Sequence, residues 1–212
     1  MGLAKLLTTD RPLPREFLEW QVKLRDWTMQ ERHGSPHVGV APLLAVRQPG
    51  VGPGVTLHSI ICGLLPRAEK LADKTREFRL VYEQHVHQGA RAVYDRGIEF
   101  LQGYYRTADD FDPTSISSLL QRDSDAIRAL RADPTCALLF YVFELDDTSE
   151  ERRFRCLQLN CRAELHEAGP LFDNVWWHNA VFHGKLDEQV MVRFVHQSSY
   201  DTAFGGLTRL DG

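Results

Sequence analysis

The stretch from residue 130 to residue 167 constrains the fold of this chain more than any other. A short helix is expected to end at Asp133-Pro134, because proline disfavours the helical conformation in the residue before it. An apolar run from Cys136 to Phe143 follows, then a charged segment from Glu144 to Arg153, then an alternating pattern from Phe154 to Leu165. A helix, a buried strand, a hairpin and a long alternating strand in this order predict the wall of an antiparallel barrel.

Composition bounds the classes of function. The chain has 212 residues, 43% of them hydrophobic, and a formal net charge of −4. We expect one domain over 1–212, with 66–113 as a helical insertion. The charge supplies no global basic field for nucleic acid or an anionic membrane, and no apolar run approaches the roughly 18 residues of a membrane helix. The beginning of the sequence lacks a secretory signal, so we predict a cytoplasmic protein.

The cysteines indicate a reduced protein. The four of them, Cys62, Cys136, Cys156 and Cys161, form no CxxC pair. Three lie in apolar strand patterns, where a free thiol behaves as a small hydrophobic group. Cys156 and Cys161 have odd spacing on one predicted strand, which points their side chains to opposite faces.

The first third of the chain predicts a helix and a hairpin. Apolar residues at helical spacing over residues 10–30 favour a helix that ends near His33-Gly34, although the end of this segment also fits a first strand. His37 to Val46 is strand-like, and Pro42 would confine it to an edge or a bulge. After a glycine- and proline-rich turn, Val55 to Ile61 would pair back on it, and Cys62-Gly63 would close the hairpin.

The rest of the chain alternates between helical and strand patterns. Residues 66–105 have helical periodicity; Pro66 would occupy the first turn, and Gly89 and Gly97 would break the run. A polar loop over Thr107 to Pro113 would follow. The remaining predictions are a short strand at Ser115–Leu120, helices at Asp123–Arg131 and Pro170–Phe182, a strand at Gln189–His196, and a loop-like end.

Several of these segments resemble one family. The match is carried by Ala129 to Pro134, by Leu138-Leu139-Phe140 and above all by Leu159-Asn160-Cys161-Arg162-Ala163-Glu164-Leu165. The sequence is similar here to the pyridoxamine 5′-phosphate oxidase-like split β-barrel family of flavin-binding proteins. His33 to Val38 is also similar to the first hairpin turn of that family, Val55 to Ser59 resembles the strand whose end faces the flavin phosphate, and Phe204-Gly205-Gly206 resembles its aromatic-Gly-Gly ending.

The resemblance implies an α+β fold, an antiparallel split β-barrel with flanking helices, and a homodimer that binds FMN in grooves at its interface. The function it implies is an FMN-dependent oxidoreductase, in which flavin N5 exchanges a hydride with a small organic substrate. In the family, a cluster of Arg or Lys with Ser or Thr after the third strand binds the phosphate. This sequence offers two such clusters.

The first cluster follows the predicted strand 55–61 and contains Ser59, Arg67 and Lys70. His58, beside Ser59, is the histidine that we expect to face a ligand, although most strand histidines simply have satisfied hydrogen bonds. Guanidinium and hydroxyl groups suit a phosphate dianion because they donate several hydrogen bonds to it.

The second cluster precedes the predicted helix 123–131 and contains Arg122, Ser124 and Arg128. It has the expected position relative to Pro134. Asp123 and Asp125 lie among its cations and would repel a phosphate, so the sequence leaves the choice between the clusters open.

Two other functions remain open. A haem-binding or haem-degrading relative would use a histidine such as His58, His85 or His183 as the iron ligand. A dimeric binding protein that has lost its cofactor is the non-enzymatic alternative. The histidine spacings predict no metal site of their own. Trp176-Trp177 could stack on a flat cofactor, but such a pair on a helix more often seals a core.

Overall fold

The structure is a computed structural model, and it describes residues 10–31, 41–48, 54–145, 152–202 and 208–210. The predicted turn at 33–38, the tip of the charged hairpin at 146–151 and Phe204 to Gly206 lie outside these ranges. Five α-helices lie within them: α1 (Arg15–Glu31), α2 (Ala68–His85), α3 (Ala90–Gln102), α4 (Asp125–Ala132) and α5 (Pro170–His183).

Eight strands form one antiparallel sheet. They are β1 (Leu43–Arg47), β2 (Val55–Ser59), β3 (Gly63–Pro66), β4 (Phe111–Gln121), β5 (Thr135–Leu145), β6 (Arg152–His166), β7 (Gln189–Asp201) and β8 (Thr208–Arg209). Their hydrogen-bonded order is β2-β1-β5-β6-β7-β4-β3, with β8 added to β7. Within the described residues β2 and β3 are the two ends of the sheet, so the barrel is open. This confirms the predicted α+β class and its split antiparallel sheet.

The segment that most constrained the fold forms the centre of the sheet. Strand β5 pairs with β6 along its whole length, from Thr135 opposite Arg162 to Leu145 opposite Arg152. Strand β6 then pairs with β7, with a shift in register between Asn160 and Cys161. The buried strand, the hairpin and the alternating strand are therefore confirmed.

One face of the sheet is the core. It carries fully buried apolar side chains from neighbouring strands, among them Leu44, Leu138, Leu159 and Phe194. Helix α1 lies over this face, since the ring of Phe17 meets that of Phe140 edge-on at 5.0 Å between centroids. The amphipathic pattern that predicted α1 therefore reports its packing against the sheet.

The predicted first hairpin is confirmed, but its edge assignment is wrong. Leu43 pairs with Ser59 of β2 on one side and with Leu139 of β5 on the other, so β1 lies inside the sheet. Pro42 stands just before β1 and leaves its pairing intact. A proline at that position removes no ladder hydrogen bond of the strand itself.

The strand that follows this hairpin in the chain, β3, was not predicted from the sequence. The prediction that Pro66 begins a helix is wrong, because Pro66 is the last residue of β3 and α2 starts at Ala68. The polar loop predicted at Thr107–Pro113 is wrong over its second half, because β4 already begins at Phe111. A strand of four residues that includes a proline has too short a pattern to be recognised from the sequence.

The helical pattern of this segment is confirmed as α2 and α3, which connect two paired strands, β3 and β4. That residues 66–113 are an insertion in a single domain stays a prediction. Gly89 divides the two helices as predicted, with φ +99°. Gly97 does not break α3; it is buried inside that helix. A Cβ atom at this position would lie 2.1 Å from Cγ1 of Val181 in α5, so the glycine permits close contact between helices.

The end of the chain is more regular than predicted. Strand β7 extends beyond His196 to Asp201, and β8 pairs with its last two residues, Tyr200 and Asp201. The sequence does not reveal this extension, because polar residues at the end of β7 interrupt the apolar pattern of its first half.

Candidate functional site

The junction between β4 and α4 brings the second predicted cluster together. Ser124 is the N-cap of α4, and its hydroxyl oxygen accepts a hydrogen bond from the backbone N–H of Ile127 at 3.3 Å. Ile127 is fully buried, as is Ala129, while Arg128 between them is exposed. The cap and the buried face fix the helix, so the exposed side of its first turn presents Arg128 beside the junction.

The side chain of Arg128 folds back over this junction. Its Nη1 donates to the backbone carbonyl of Asp123, and its Nη2 pairs with the carboxylate of Asp125. Nη2 of Arg122, at the other end of the turn, lies 3.5 Å from a carboxylate oxygen of Glu167. Arg122, Ser124 and Arg128 therefore stand at one strand–helix junction.

Carboxylates balance the charge of this cluster, but only in exposed pairs. About half of the side-chain surface is accessible in Arg122 and Glu167, at 48% and 46%, and slightly more in Arg128 and Asp125, at 61% and 56%. Ion pairs this exposed contribute about 0–1 kcal/mol, so an incoming anion can exchange with them at little cost.

The first predicted cluster is divided. Arg67 and Lys70 lie at the start of α2, where Nε of Arg67 donates to the backbone carbonyl of Asp109 and Nζ of Lys70 pairs with the carboxylate of Asp110. Ser59 belongs to β2, which stands at the opposite end of the strand order from β3, the strand before Arg67. The cluster is thus split between two elements that share no pairing.

His58 is half-buried on β2, and its Nε2 lies 3.2 Å from the hydroxyl of Thr56. In the described part of the chain, no group of three His, Cys, Asp or Glu side chains could hold a metal ion. His85 contacts the Val81 carbonyl within α2 at 2.9 Å. Burial lowers the pKa of His183 at the end of α5.

The cysteines agree with the predicted reduced state. Cys62, Cys136, Cys156 and Cys161 are all buried and free. Burial raises the pKa of Cys136 to about 12, and its thiol lies 3.7 Å from the carbonyl of Cys161. A thiol that stays protonated is a poor nucleophile, so Cys136 has a packing role.

Sequence reasoning missed a polar network on the face of the sheet opposite the core. Arg193 of β7 donates to Asp112 and Ser115 of β4, at 3.0 and 2.9 Å, and to Glu164 of β6, at 3.2 Å. Asp112 also accepts hydrogen bonds from Thr114 and Ser115. The one signal in the sequence was Arg193 itself, a single charged residue within the apolar pattern of β7.

The network sets the ionisation of its members. Burial tends to raise the pKa of Asp112, but hydrogen bonds from Ser115, Thr114 and Arg193 outweigh it and lower that pKa below its ordinary value. Burial also tends to lower the pKa of Arg193, and here Asp112 and Glu164 reverse the effect. Since every charge has a partner and the arginine side chain is only 21% exposed, we interpret the network as structural.

Among the comparisons with known proteins, only the one with solved structures finds matches. No protein-family model matches the sequence, and no curated protein sequence matches it significantly. Solved structures do match: General Stress Protein 26 of Bacillus anthracis (9% identity, TM-score 0.44) covers 89% of this chain and 98% of its own. A related protein of Clostridium acetobutylicum, assigned to the pyridoxinephosphate oxidase family, has 8% identity and a TM-score of 0.45, over 87% of this chain and 94% of its own.

The haem storage protein HutZ of Vibrio cholerae is similar to the same degree, with 11% identity and a TM-score of 0.45 over 87% of this chain and 94% of its own. Likeness at this level does not distinguish one ligand from another. The candidate site therefore rests on its own geometry.

Among the described helices, none is both long and apolar enough to cross a membrane.

Proposed function

We propose that this chain is an FMN-binding oxidoreductase that acts on a small organic substrate, and that the phosphate of the flavin binds at the β4–α4 junction. The observation that carries the proposal is the convergence of Arg122, Ser124 and Arg128 there. Arg128 folds back to the carbonyl of Asp123, which keeps its guanidinium beside the turn. Two guanidinium groups, a hydroxyl and the start of a helix form a donor set suited to a dianion.

The donors remain available to a ligand. Ser124 accepts a hydrogen bond through its oxygen, and its own proton is free to be donated. The carboxylates beside the cluster oppose phosphate binding, but Asp125 and Glu167 are exposed and turn away at small cost. The α2 cluster is the weaker candidate, because its Ser59 lies on β2, which does not pair with β3, the strand before Arg67.

The flavin would supply the hydride chemistry, and the residues of this cluster would hold and orient it. Arg122 and Arg128 would neutralise the phosphate charge, while Ser124 would fix the position of one phosphate oxygen. None of these side chains moves a proton in the proposed reaction. Their effect would be on the affinity for the phosphate-bearing form of the cofactor.

The test is a comparison of FMN with riboflavin, which lacks the phosphate. Binding of each to the purified protein would be followed by quenching of flavin fluorescence. We expect Arg128→Ala and Arg122→Ala each to weaken FMN binding about ten-fold or more, as loss of a charge-assisted hydrogen bond worth about 1.5–3 kcal/mol requires. Riboflavin binding should not change.

Two further variants sharpen this test. Asp125→Asn removes a repelling carboxylate and should tighten FMN binding, whereas Arg96→Ala, which breaks a similar exposed pair with Glu99 in α3, should have no effect. If Arg67→Ala weakens FMN binding and Arg128→Ala does not, the α2 cluster is the phosphate site. A protein that binds no flavin but purifies with a Soret band would replace the FMN proposal with the haem alternative.

We also propose that the protein is a homodimer. Val55, Leu57 and Tyr141 project from the sheet face opposite the core, with 57%, 56% and 51% of their surface exposed. They share this face because Ala45, in register with Leu57, is also in register with Ala137, and side chains alternate along β5. Apolar side chains grouped on one face mark a surface that is covered in the assembled protein.

A further inference from the structure

Three aromatic rings surround the ammonium group of Lys185, in the turn between α5 and β7. Its Nζ lies 5.3 Å from the ring centroid of Trp177, 5.4 Å from that of Tyr82 and 6.0 Å from that of Trp176. Cation–π attraction operates within about 6 Å of a ring centroid, so all three rings contribute. We refer to Tyr82, Trp176 and Trp177 as the aromatic cage.

The rings of the cage are held at steep angles to each other. Trp176 and Trp177 meet edge-on, with an interplanar angle of 87° and 4.9 Å between centroids. Tyr82 and Trp177 meet at 61° and 5.8 Å. Rings at such angles face different directions, so one cation can approach several of them at once, as the ammonium of Lys185 does.

A hydrogen bond joins the turn that carries Lys185 to the cage. Gly184 begins it with φ +75°, a conformation that favours glycine, and the indole N–H of Trp176 donates to the carbonyl of Leu186 at 3.1 Å. All three cage residues are half-buried and Lys185 is exposed. The cage is therefore accessible from solvent once the lysine side chain moves away.

We propose that the aromatic cage is a binding site for a small quaternary ammonium compound, and that Lys185 is a displaceable occupant of it. A quaternary ammonium is more weakly hydrated than the lysine ammonium, so it gives up less hydration energy when it enters an aromatic cage. The lysine, tethered beside the rings, competes with any ligand. The cage residues belong to α2 and α5, and the turn that carries Lys185 continues to Glu188, whose carbonyl accepts a hydrogen bond from the backbone N–H of Arg122 at 2.7 Å. The proposal uses other side chains than the FMN proposal does, and its test needs no flavin.

A second cation stands near the cage. The guanidinium carbon of Arg79 lies 5.6 Å from the Trp177 centroid, but Nε of Arg79 is paired with Glu83 at 2.8 Å. Arg79 thus has a carboxylate partner within α2, and the proposal does not require it to move. Lys185 is the cation that the proposal requires to leave.

The test uses choline as the probe and calorimetry to measure its binding to the full chain. Lys185→Ala should bind choline about ten-fold more tightly than the unmodified protein, because the competing ammonium is gone. Lys185→Arg keeps a competing cation and should bind as weakly as the unmodified protein. The neutral isostere of choline, in which a tert-butyl group replaces trimethylammonium, should bind Lys185→Ala much more weakly than choline does.

A variant of the cage completes the test. Trp177→Phe in the Lys185→Ala background keeps a ring in the packing but weakens the cation–π attraction, so choline affinity should fall several-fold while the circular dichroism spectrum is unchanged. The proposal is overturned if Lys185→Ala binds choline no more tightly than the unmodified protein. Equal binding of choline and its neutral isostere would also overturn it, since the site would then be merely apolar.

Discussion

The guanidinium of Arg25 donates a hydrogen bond at 2.7 Å to the backbone carbonyl of Cys62, which ties α1 to the residue before β3. Arg25 is only 3% exposed, and within the described residues it contacts no carboxylate. The side-chain and backbone oxygens of Gln21 accept its other hydrogen bonds, and the Tyr105 ring lies 5.5 Å away. Neutral acceptors and an aromatic ring thus hold a buried cation in place, and burial lowers its pKa.

The variant Arg25→Lys should be less stable than the unmodified protein. A lysine ammonium cannot span Gln21 and Cys62 as a planar guanidinium does, so we expect about 2 kcal/mol less stability at pH 7. Burial would hold the lysine pKa below its usual value of about 10.4, so the unfolded state binds more protons and the stability of the variant rises with pH.

Chemical denaturation between pH 7 and 10 checks this prediction. The stability of Arg25→Lys relative to the unmodified protein should recover toward pH 10, since arginine stays charged throughout that range. Lys23→Ala, at an exposed position of α1, is the control and should follow the unmodified protein. A stability difference that does not change with pH would show that the lysine stays charged in the folded state.

Asp112 should contribute stability that depends on acid pH. Its pKa is lower in the folded protein than in the unfolded chain, so its contribution is fully present above the unfolded value of about 4. That contribution is lost as the pH falls through the folded pKa. Asp112→Asn should therefore cost about 2 kcal/mol at pH 7, the value of hydrogen bonds to a charged group.

Urea denaturation from pH 7 down to pH 2 measures this effect. The stability curves of Asp112→Asn and of the unmodified protein should converge at the acid end. Asp73→Asn, which breaks a pair with Arg76 whose side chains are 66% and 70% exposed, should track the unmodified protein throughout. A constant gap between the first two curves would contradict the assigned pKa direction.

Gly97→Ala should destabilise the protein even though alanine favours helices. The new methyl group would overlap Cγ1 of Val181, and overpacking costs about 1–3 kcal/mol, against a gain of about 1 kcal/mol from helix propensity. The expected net loss is about 1 kcal/mol. In thermal unfolding, the double variant Gly97→Ala/Val181→Ala should lose less stability than the two single variants lose together. A loss equal to that sum would exclude the contact.

Leu57→Glu should convert the proposed homodimer to a monomer. The charge would enter the apolar sheet face formed with Val55 and Tyr141, and an unpaired charge at an interface centre costs several kcal/mol. Sedimentation velocity distinguishes the two states. Leu80→Glu, at a position 44% exposed on α2, is the matched control and should remain dimeric. A monomeric unmodified protein would refute the homodimer.

The parts of the fold that were predicted from sequence have long patterns of a single period. Strand β5 was predicted from an apolar run, β6 from alternation over many positions, and the end of α4 from the Asp133-Pro134 step. These signals are local. They depend on neighbours within one element, which a sequence displays directly.

The parts that were missed depend on distant partners. Asp112 and Pro113 look like loop residues, yet they are the second and third residues of β4, and the Asp112 carboxylate pairs with Arg193, a residue far along the chain. Gly97 looks like a helix breaker, yet it serves the contact with Val181. Arg122 and Arg128 of the second predicted cluster lie at one junction, and phosphate binding there stays a prediction. The sequence placed Asp125 beside them, but the pair of Arg122 with Glu167 depends on the folded chain.

The place of β5 in the sheet has a consequence for how the chain folds. Its partner on one side, β6, follows directly, while its partner on the other, β1, lies about 95 residues earlier, with Leu43 opposite Leu139. The β5–β6 pair can form by closing a short loop, whereas β1 can join only after a long closure that costs more chain entropy. We therefore expect amide protons shared by β5 and β6 to gain protection from hydrogen exchange earlier during refolding than those shared by β1 and β5.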